Sequence, residues 1–288
     1  MEGGKKVPVG DAHAHSNPAR GMGAREIARR FRRSGGWFIA LLSLNPWSYG
    51  IEPPGYEAYM KVVDLIVSEC RRAREEGLKV KCFSGFHPAD VDRLIDRYRL
   101  RPEEVLQLGL RVVRALRGMC RDGVIDGIGE VGRQHYRTAP ERVAIASLIM
   151  EEALEATEDG CMIQLHLEQA GRATIDTVDM VVRRLGVKAR ETVIFHHSTL
   201  QMATRARELG YNATVPGVPK MLDYAAGKAE PIFMIESDFI DDPRRPGVVV
   251  YPWLMAEKLS ELATKGYEEW AWKVAVENVS RVFGVEPP

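Results

Sequence analysis

Val7-Pro8-Val9-Gly10-Asp11-Ala12-His13-Ala14-His15 opens on a short apolar run and closes on two histidines one residue apart. At a strand end, side chains alternate with period two, so the imidazoles of His13 and His15 leave on the same side. Two imidazoles placed this way can grip one divalent cation if later segments supply more ligands. Taken alone, the pair is equally compatible with a structural accident. Its meaning depends on the remainder of the chain.

Beyond His15 the chain is a repeated alternation of apolar runs and amphipathic segments. Candidate strands cover 7–11, 37–42, 79–83, 125–128, 162–165, 192–195, 212–215 and 232–235. Helical patterns cover 24–33, 56–76, 102–121, 140–158, 173–185, 200–209 and 220–227, and two more, 252–265 and 267–283, close the chain. Eight strands separated by helices imply a parallel sheet, and that count favours closure into a (β/α)8 TIM barrel. Gly36, Gly77, Gly123, Gly160 and Gly210 precede strands, where left-handed helix C-caps belong. With no composition shift or fixed-period repeat, residues 1–288 read as one domain.

Forty basic and forty acidic residues cancel, leaving no global electrostatic footprint for nucleic acid or membrane. No apolar run approaches the roughly 20 residues that span a bilayer, and the polar 1–6 start does not read as a signal peptide. A cytoplasmic protein is expected. Cys70, Cys82, Cys120 and Cys161 are widely spaced without a CxxC pair, so reduced thiols are expected rather than disulfides or a structural zinc. Arginine exceeds lysine 29 to 11, which fits heat adaptation.

In such a barrel the chemistry sits at the carboxyl ends of the strands. Six of the seven histidines directly follow an apolar run: His13, His15, His87, His166, His196 and His197. His135 follows Gly129-Glu130-Val131-Gly132. Glu130 and Asp238 add carboxylates at the ends of strands four and eight. This gathers a ligand set suited to Zn²⁺, Mn²⁺ or a related ion at one rim. Each piece has a plainer reading: Glu130 as a helix cap or a partner for Arg133, His166 as an interior imidazole, Asp238 as a turn residue before Asp241-Asp242-Pro243. Their joint order in the chain is what favours the metal reading.

The chain resembles the TatD-like metal-dependent hydrolases of the amidohydrolase superfamily, in an archaeal TatD-related branch. The likeness is carried by Asp11-Ala-His13-Ala-His15, Gly85-Phe86-His87-Pro88, Gly129-Glu130-Val131-Gly132, Gln164-Leu165-His166, Phe195-His196 and Glu236-Ser237-Asp238, with a closing helix 276–284. It implies a barrel with two, or counting a further site three, divalent ions, zinc or manganese first and magnesium after them. His13, His15 and Asp238 would hold one ion, and Glu130 would bridge to a second held by His166 and His196. His196 and His197 compete for that last place, and the family position favours His196, leaving His197 to the substrate. His87 would reach the substrate or an additional ion. The resemblance further implies hydrolysis by a metal-activated water, with Glu130 and Asp238 as catalytic carboxylates and Asp238 as the base. Family members are commonly described as deoxyribonucleases.

Arg133-Gln134-His135-Tyr136 and the segment 239–246 depart from the family pattern, which puts the substrate in question. The strand-end arginines Arg20, Arg133, Arg137, Arg172, Arg244 and Arg245 suit phosphate, with Arg133 and Arg244-Arg245 weighted most and His135 beside them. The arginine-rich stretch 25–33 reads as a solvated helix face. Asp11 is read either as orienting a ligand imidazole or as a strand-end hydrogen-bond acceptor. Trp47 and Tyr49 either cover a substrate or pin their long loop. Tyr251 and Trp253 would extend that wall. The expected substrate is a phosphoester, nucleic acid included. Rival readings are a small amide, lactone or carboxylester, or a metal-stabilised scaffold that binds without catalysis.

Overall fold

Parallel strands alternate with helices around a closed ring. The computed structural model describes residues 7–52, 54–244 and 249–288. The 1–6 start and Arg245 therefore lie outside the described residues. Strands β1 (Val9–His15), β2 (Gly36–Leu42), β3 (Lys79–Ser84), β4 (Gly127–Gly132), β5 (Met162–His166), β6 (Val193–Phe195), β7 (Asn212–Pro216) and β8 (Met234–Glu236) pair in chain order, each parallel to the next. The ring closes just past β8: His15 N–H donates to Phe239 O at 2.8 Å, and Asp238 N–H donates to His13 O at 3.0 Å. This is the (β/α)8 barrel.

Outside lie α1 (Gly23–Arg33), α2 (Tyr56–Glu75), α3 (Pro88–Asp96), α4 (Pro102–Arg121), α5 (Pro140–Glu155), α6 (Arg172–Leu185), α7 (Leu200–Glu208), α8 (Pro219–Lys228), α9 (Pro252–Leu262), α10 (Glu268–Trp272) and α11 (Asn278–Phe283). Five of them begin on proline, whose missing N–H costs nothing at a helix start. Between ring and helices runs the main apolar core. A second cluster inside the barrel is capped from below by α11 and the turn before it (Lys273–Glu277): the ring of Phe283 lies 4.7 Å from that of Phe38, and Trp37 Nε1 donates to Ala275 O at 3.1 Å. Gly10 permits that approach, since a Cβ there would stand 2.9 Å from Ala275 O.

Three expectations need correction. The strands carrying the site run further than the apolar runs, so His13, His15 and Glu130 lie on strands rather than after them. Gly77, Gly123, Gly160 and Gly210 do take positive φ, but the turn after α1 uses Gly35, at φ 102°. Gly36 already belongs to β2, with the Phe31 ring packed where its side chain would be. Most plainly, the cysteines are bridged. Cys70–Cys82 ties α2 to β3 and Cys120–Cys161 ties the end of α4 to the start of β5, with Cα atoms 6.0 and 5.9 Å apart. α2 doubles back onto the strand that follows it, and the end of α4 lies beside the entry to β5 one unit further on, which brings distant cysteines within disulfide reach without a CxxC pair.

Candidate active site

At the carboxyl end of the barrel, three strands aim imidazoles at the Glu130 carboxylate. His13 Nε2 and His15 Nε2, from β1, stand 3.6 and 3.7 Å from its two oxygens. His166 Nδ1, at the end of β5, lies 2.9 Å from Oε1, and His196 Nε2, just past β6, lies 3.1 Å from it. Asp238, at φ 45° directly after β8, places Oδ1 3.9 and 3.8 Å from His13 and His15. The residues expected to share a centre do converge.

The far nitrogen of three rings is tied off. His13 Nδ1 meets Gln164 Oε1 at 2.6 Å, His15 Nδ1 meets Leu42 O at 3.1 Å, and His196 Nδ1 meets Glu236 Oε2 at 2.8 Å. A carbonyl oxygen or carboxylate accepts, so each Nδ1 carries a proton, and in the neutral ring each Nε2 presents a lone pair. Two such lone pairs, on His13 and His15, face each other at 3.2 Å. His196 Nε2 is buried and has no aligned hydrogen-bond partner among the described residues. A cation among these atoms resolves both conflicts. Rings fixed in this manner are how proteins orient imidazole ligands.

The electrostatics agree. Burial pushes His196 down, but Glu236 and Glu130 on either side outweigh it and raise it well above its ordinary value. Burial also pushes Glu130 and Asp238 up, yet the surrounding imidazoles hold Glu130 well down, and the His197 hydrogen bond and nearby imidazoles hold Asp238 down. His13, desolvated and beside His196, falls to about 3 and is neutral. The cluster is ionised where acids stand and favours positive charge between them. Donor atoms within 4.8 Å of one another form the groups His13/His15/Asp238, His13/His196/Glu236, His87/Glu130/His166 and His196/His197/Asp238.

Of the adjacent pair, His196 reaches Glu130. His197, at φ 55°, turns away and places Nδ1 3.2 Å from Asp238 Oδ2. His87 caps α3, with Nδ1 accepting from Ala89 N–H at 3.0 Å. That bond puts the proton of the neutral ring on Nε2, 3.6 Å from Glu130. Nε2 is then a donor, suited to a substrate oxygen rather than to a cation. His135 Nδ1 lies 2.6 Å from His166 Nε2 and so holds that ring from behind.

The other expectations divide. Asp11 accepts from the backbone N–H of His13 and Ser237 rather than from an imidazole, and burial lifts it to about 7. Arg133 does not line the cavity; it donates to Glu168 at 2.6 and 3.1 Å. Arg244 does line it, with its guanidinium paired to Asp242. Tyr49 pins its loop, donating to Ser16 O. Trp47 lines the cavity with its ring covered by Arg93. Tyr251 and Trp253 stack beside Phe239, and Tyr251 lines a neighbouring cavity. The sequence reading gave Glu236 and Gln164 no role of their own. Both stand two residues before a residue that was singled out, so the same alternation pointed to them.

The family described as TatD related DNase matches residues 10–284. The chain belongs to the TatD family. A relative from Methanocaldococcus jannaschii, an uncharacterised protein, is 26% identical over 98% of both chains. Among solved structures, a TatD-like protein from Archaeoglobus fulgidus superposes with TM-score 0.61 at 15% identity, covering 95% of this chain and 100% of the other. A TatD homologue from Escherichia coli gives TM-score 0.61 at 17% identity, covering 96% and 98%. The family match places the chain among TatD proteins, and the superpositions show that it shares their barrel fold. Among its described residues no helix is long and apolar enough to cross a membrane.

Proposed function

We propose that this TatD protein, acting as one unit over 1–288, is a divalent-metal-dependent hydrolase of phosphoesters, with nucleic acid the leading substrate. The observation that carries the reading is the set of three imidazoles, each tied at Nδ1 and open at Nε2 toward Glu130. His13, His15 and Asp238 would hold one ion, His166 and His196 a second, and Glu130 both. Zinc or manganese fits the imidazole-rich set better than magnesium. When bound, such ions supply a water of lowered pKa and a Lewis acid for the scissile bond.

The chain's own groups do the rest. Asp238, held ionised against His197, takes the water's proton and returns it to the leaving oxygen. His87 Nε2–H donates a hydrogen bond to a substrate oxygen. His135 and Glu236 keep His166 and His196 aimed. A cavity of about 590 Å³ opens over the cluster, lined in part by Arg20, Arg93 and Arg244. Guanidinium groups on its wall favour an anionic ester over a neutral amide or lactone. The test is hydrolysis of DNA, simple phosphodiesters, phosphomonoesters and carboxylesters by metal-loaded protein, beside Glu130→Ala and Asp238→Ala. Phosphoester turnover lost in both variants supports the reading. Turnover surviving both, or confined to carboxylesters, overturns it.

A further inference from the structure

Three arginines near the rim are already committed. Arg133 is held by Glu168, Arg172 by Glu208 and Arg244 by Asp242. Arg93 differs. It lies in the second turn of α3 and lines the cavity over the histidine cluster. Its Nε is shut away from water and has no hydrogen-bond partner among the described residues. Its guanidinium carbon stands 4.7 Å from the centroid of Trp47, itself nearly buried.

Among the described residues Arg93 makes no ion pair with an acid of its own helix, although its charge acts on Asp90, whose Oδ1 is left open. Asp90 binds Tyr59, Asp92 collects Gln134, Tyr136 and Arg142, and Asp96 pairs with Arg142. A guanidinium held over an indole, with a buried donor left open, lacks an acceptor. Arg93 sits six residues beyond His87, about 9 Å of helical rise. His87 and Arg93 line the same cavity from different turns of the chain.

We propose that Arg93, braced on Trp47, is an anion subsite that takes a non-scissile phosphate of the substrate. It gives preference to esters bearing a second phosphate over the same ester without one. The link to catalysis rests on the phosphoester reading above; the binding site does not.

Two measurements separate them. Inorganic phosphate is titrated calorimetrically into chelator-treated full-length protein as wild type, Arg93→Met, Arg93→Lys and Arg114→Met, the last removing a surface cation paired with Glu152. Arg93→Met is expected to weaken phosphate at least tenfold, Arg93→Lys to recover part of the loss, and Arg114→Met to match wild type. In parallel, metal-loaded protein is assayed on the thymidine dinucleotide with and without a 5′-terminal phosphate. Arg93→Met should raise KM at least tenfold for the phosphorylated form, with KM for the other form and both kcat values within twofold of wild type. Unchanged phosphate binding, or an equal fall of kcat on both substrates, overturns the subsite. Weakened phosphate binding in a protein that hydrolyses neither dinucleotide leaves the subsite standing and overturns the phosphoester reading instead.

Discussion

Gln164, Leu42 O and Glu236 set which nitrogen of each ring faces the centre, and that choice is open to test. Gln164→Leu leaves the His13 Nδ1 proton without an acceptor in a dry site. The expected results are a stability loss of about 1–3 kcal/mol and divalent-ion affinity lower by roughly 10–100-fold, read by chelator competition. A different buried acid predicts a pH effect. Asp90, desolvated beside Tyr59, is pushed up to about 7 from 3.8. Between those values the folded chain keeps a proton that the unfolded chain has released. Stability is therefore lost as pH rises through about 4 to 7, on the order of 2–4 kcal/mol. Asp90→Asn, which cannot ionise, should flatten the dependence, with urea midpoints closer to wild type at pH 4 and higher than wild type at pH 8. At this scale the sequence was legible wherever period-two spacing applied, at His13 and His15 above all. A backbone acceptor such as Leu42 O leaves no sequence signal. Arg133 misled because its partner, Glu168, comes 35 positions later.

Between residue and molecule, α3 and the loop after β4 work as a pair. Asp92 accepts from Gln134 Nε2 at 2.9 Å, Tyr136 Oη at 3.0 Å and Arg142 Nη1 at 3.1 Å, and also from Thr138. This clasps the segment that carries His135 against the helix that carries Arg93. Asp92→Ala is expected to speed amide exchange across 134–138 and to lower kcat/KM several-fold while the rest of the barrel exchanges as before. Equal exchange in that segment would contradict the clasp. The helix itself was missed because Pro88–Asp96 is short and carries three acids, which obscure its apolar face of Val91 and Leu94. Strand ends were cut short for a related reason. Apolar runs stop where the barrel mouth turns polar, yet β1 continues through Asp11, His13 and His15 because that mouth is the site.

Across the whole chain, the alternation of runs gave the barrel, and the order of histidines and acids gave its mouth. The covalent ties were not legible, because they depend on which helix packs against which strand. Closing loops of 12 and 41 residues, the two disulfides should each contribute about 3–4 kcal/mol in a chain-entropy account. Unfolding without reductant should expose no titratable thiol, and reduction should lower the melting temperature. Four reactive thiols in the unreduced, unfolded chain would contradict the pairing. The central claim, that residues from His13 to Asp238 gather divalent ions, is tested most directly by anomalous diffraction at the manganese edge from crystals grown with Mn²⁺. The account predicts one peak among His13, His15 and Asp238 and a second beside His166 and His196, with Glu130 between them and both lost in Glu130→Ala. Peaks confined to surface carboxylates, or none within this cluster, would contradict it.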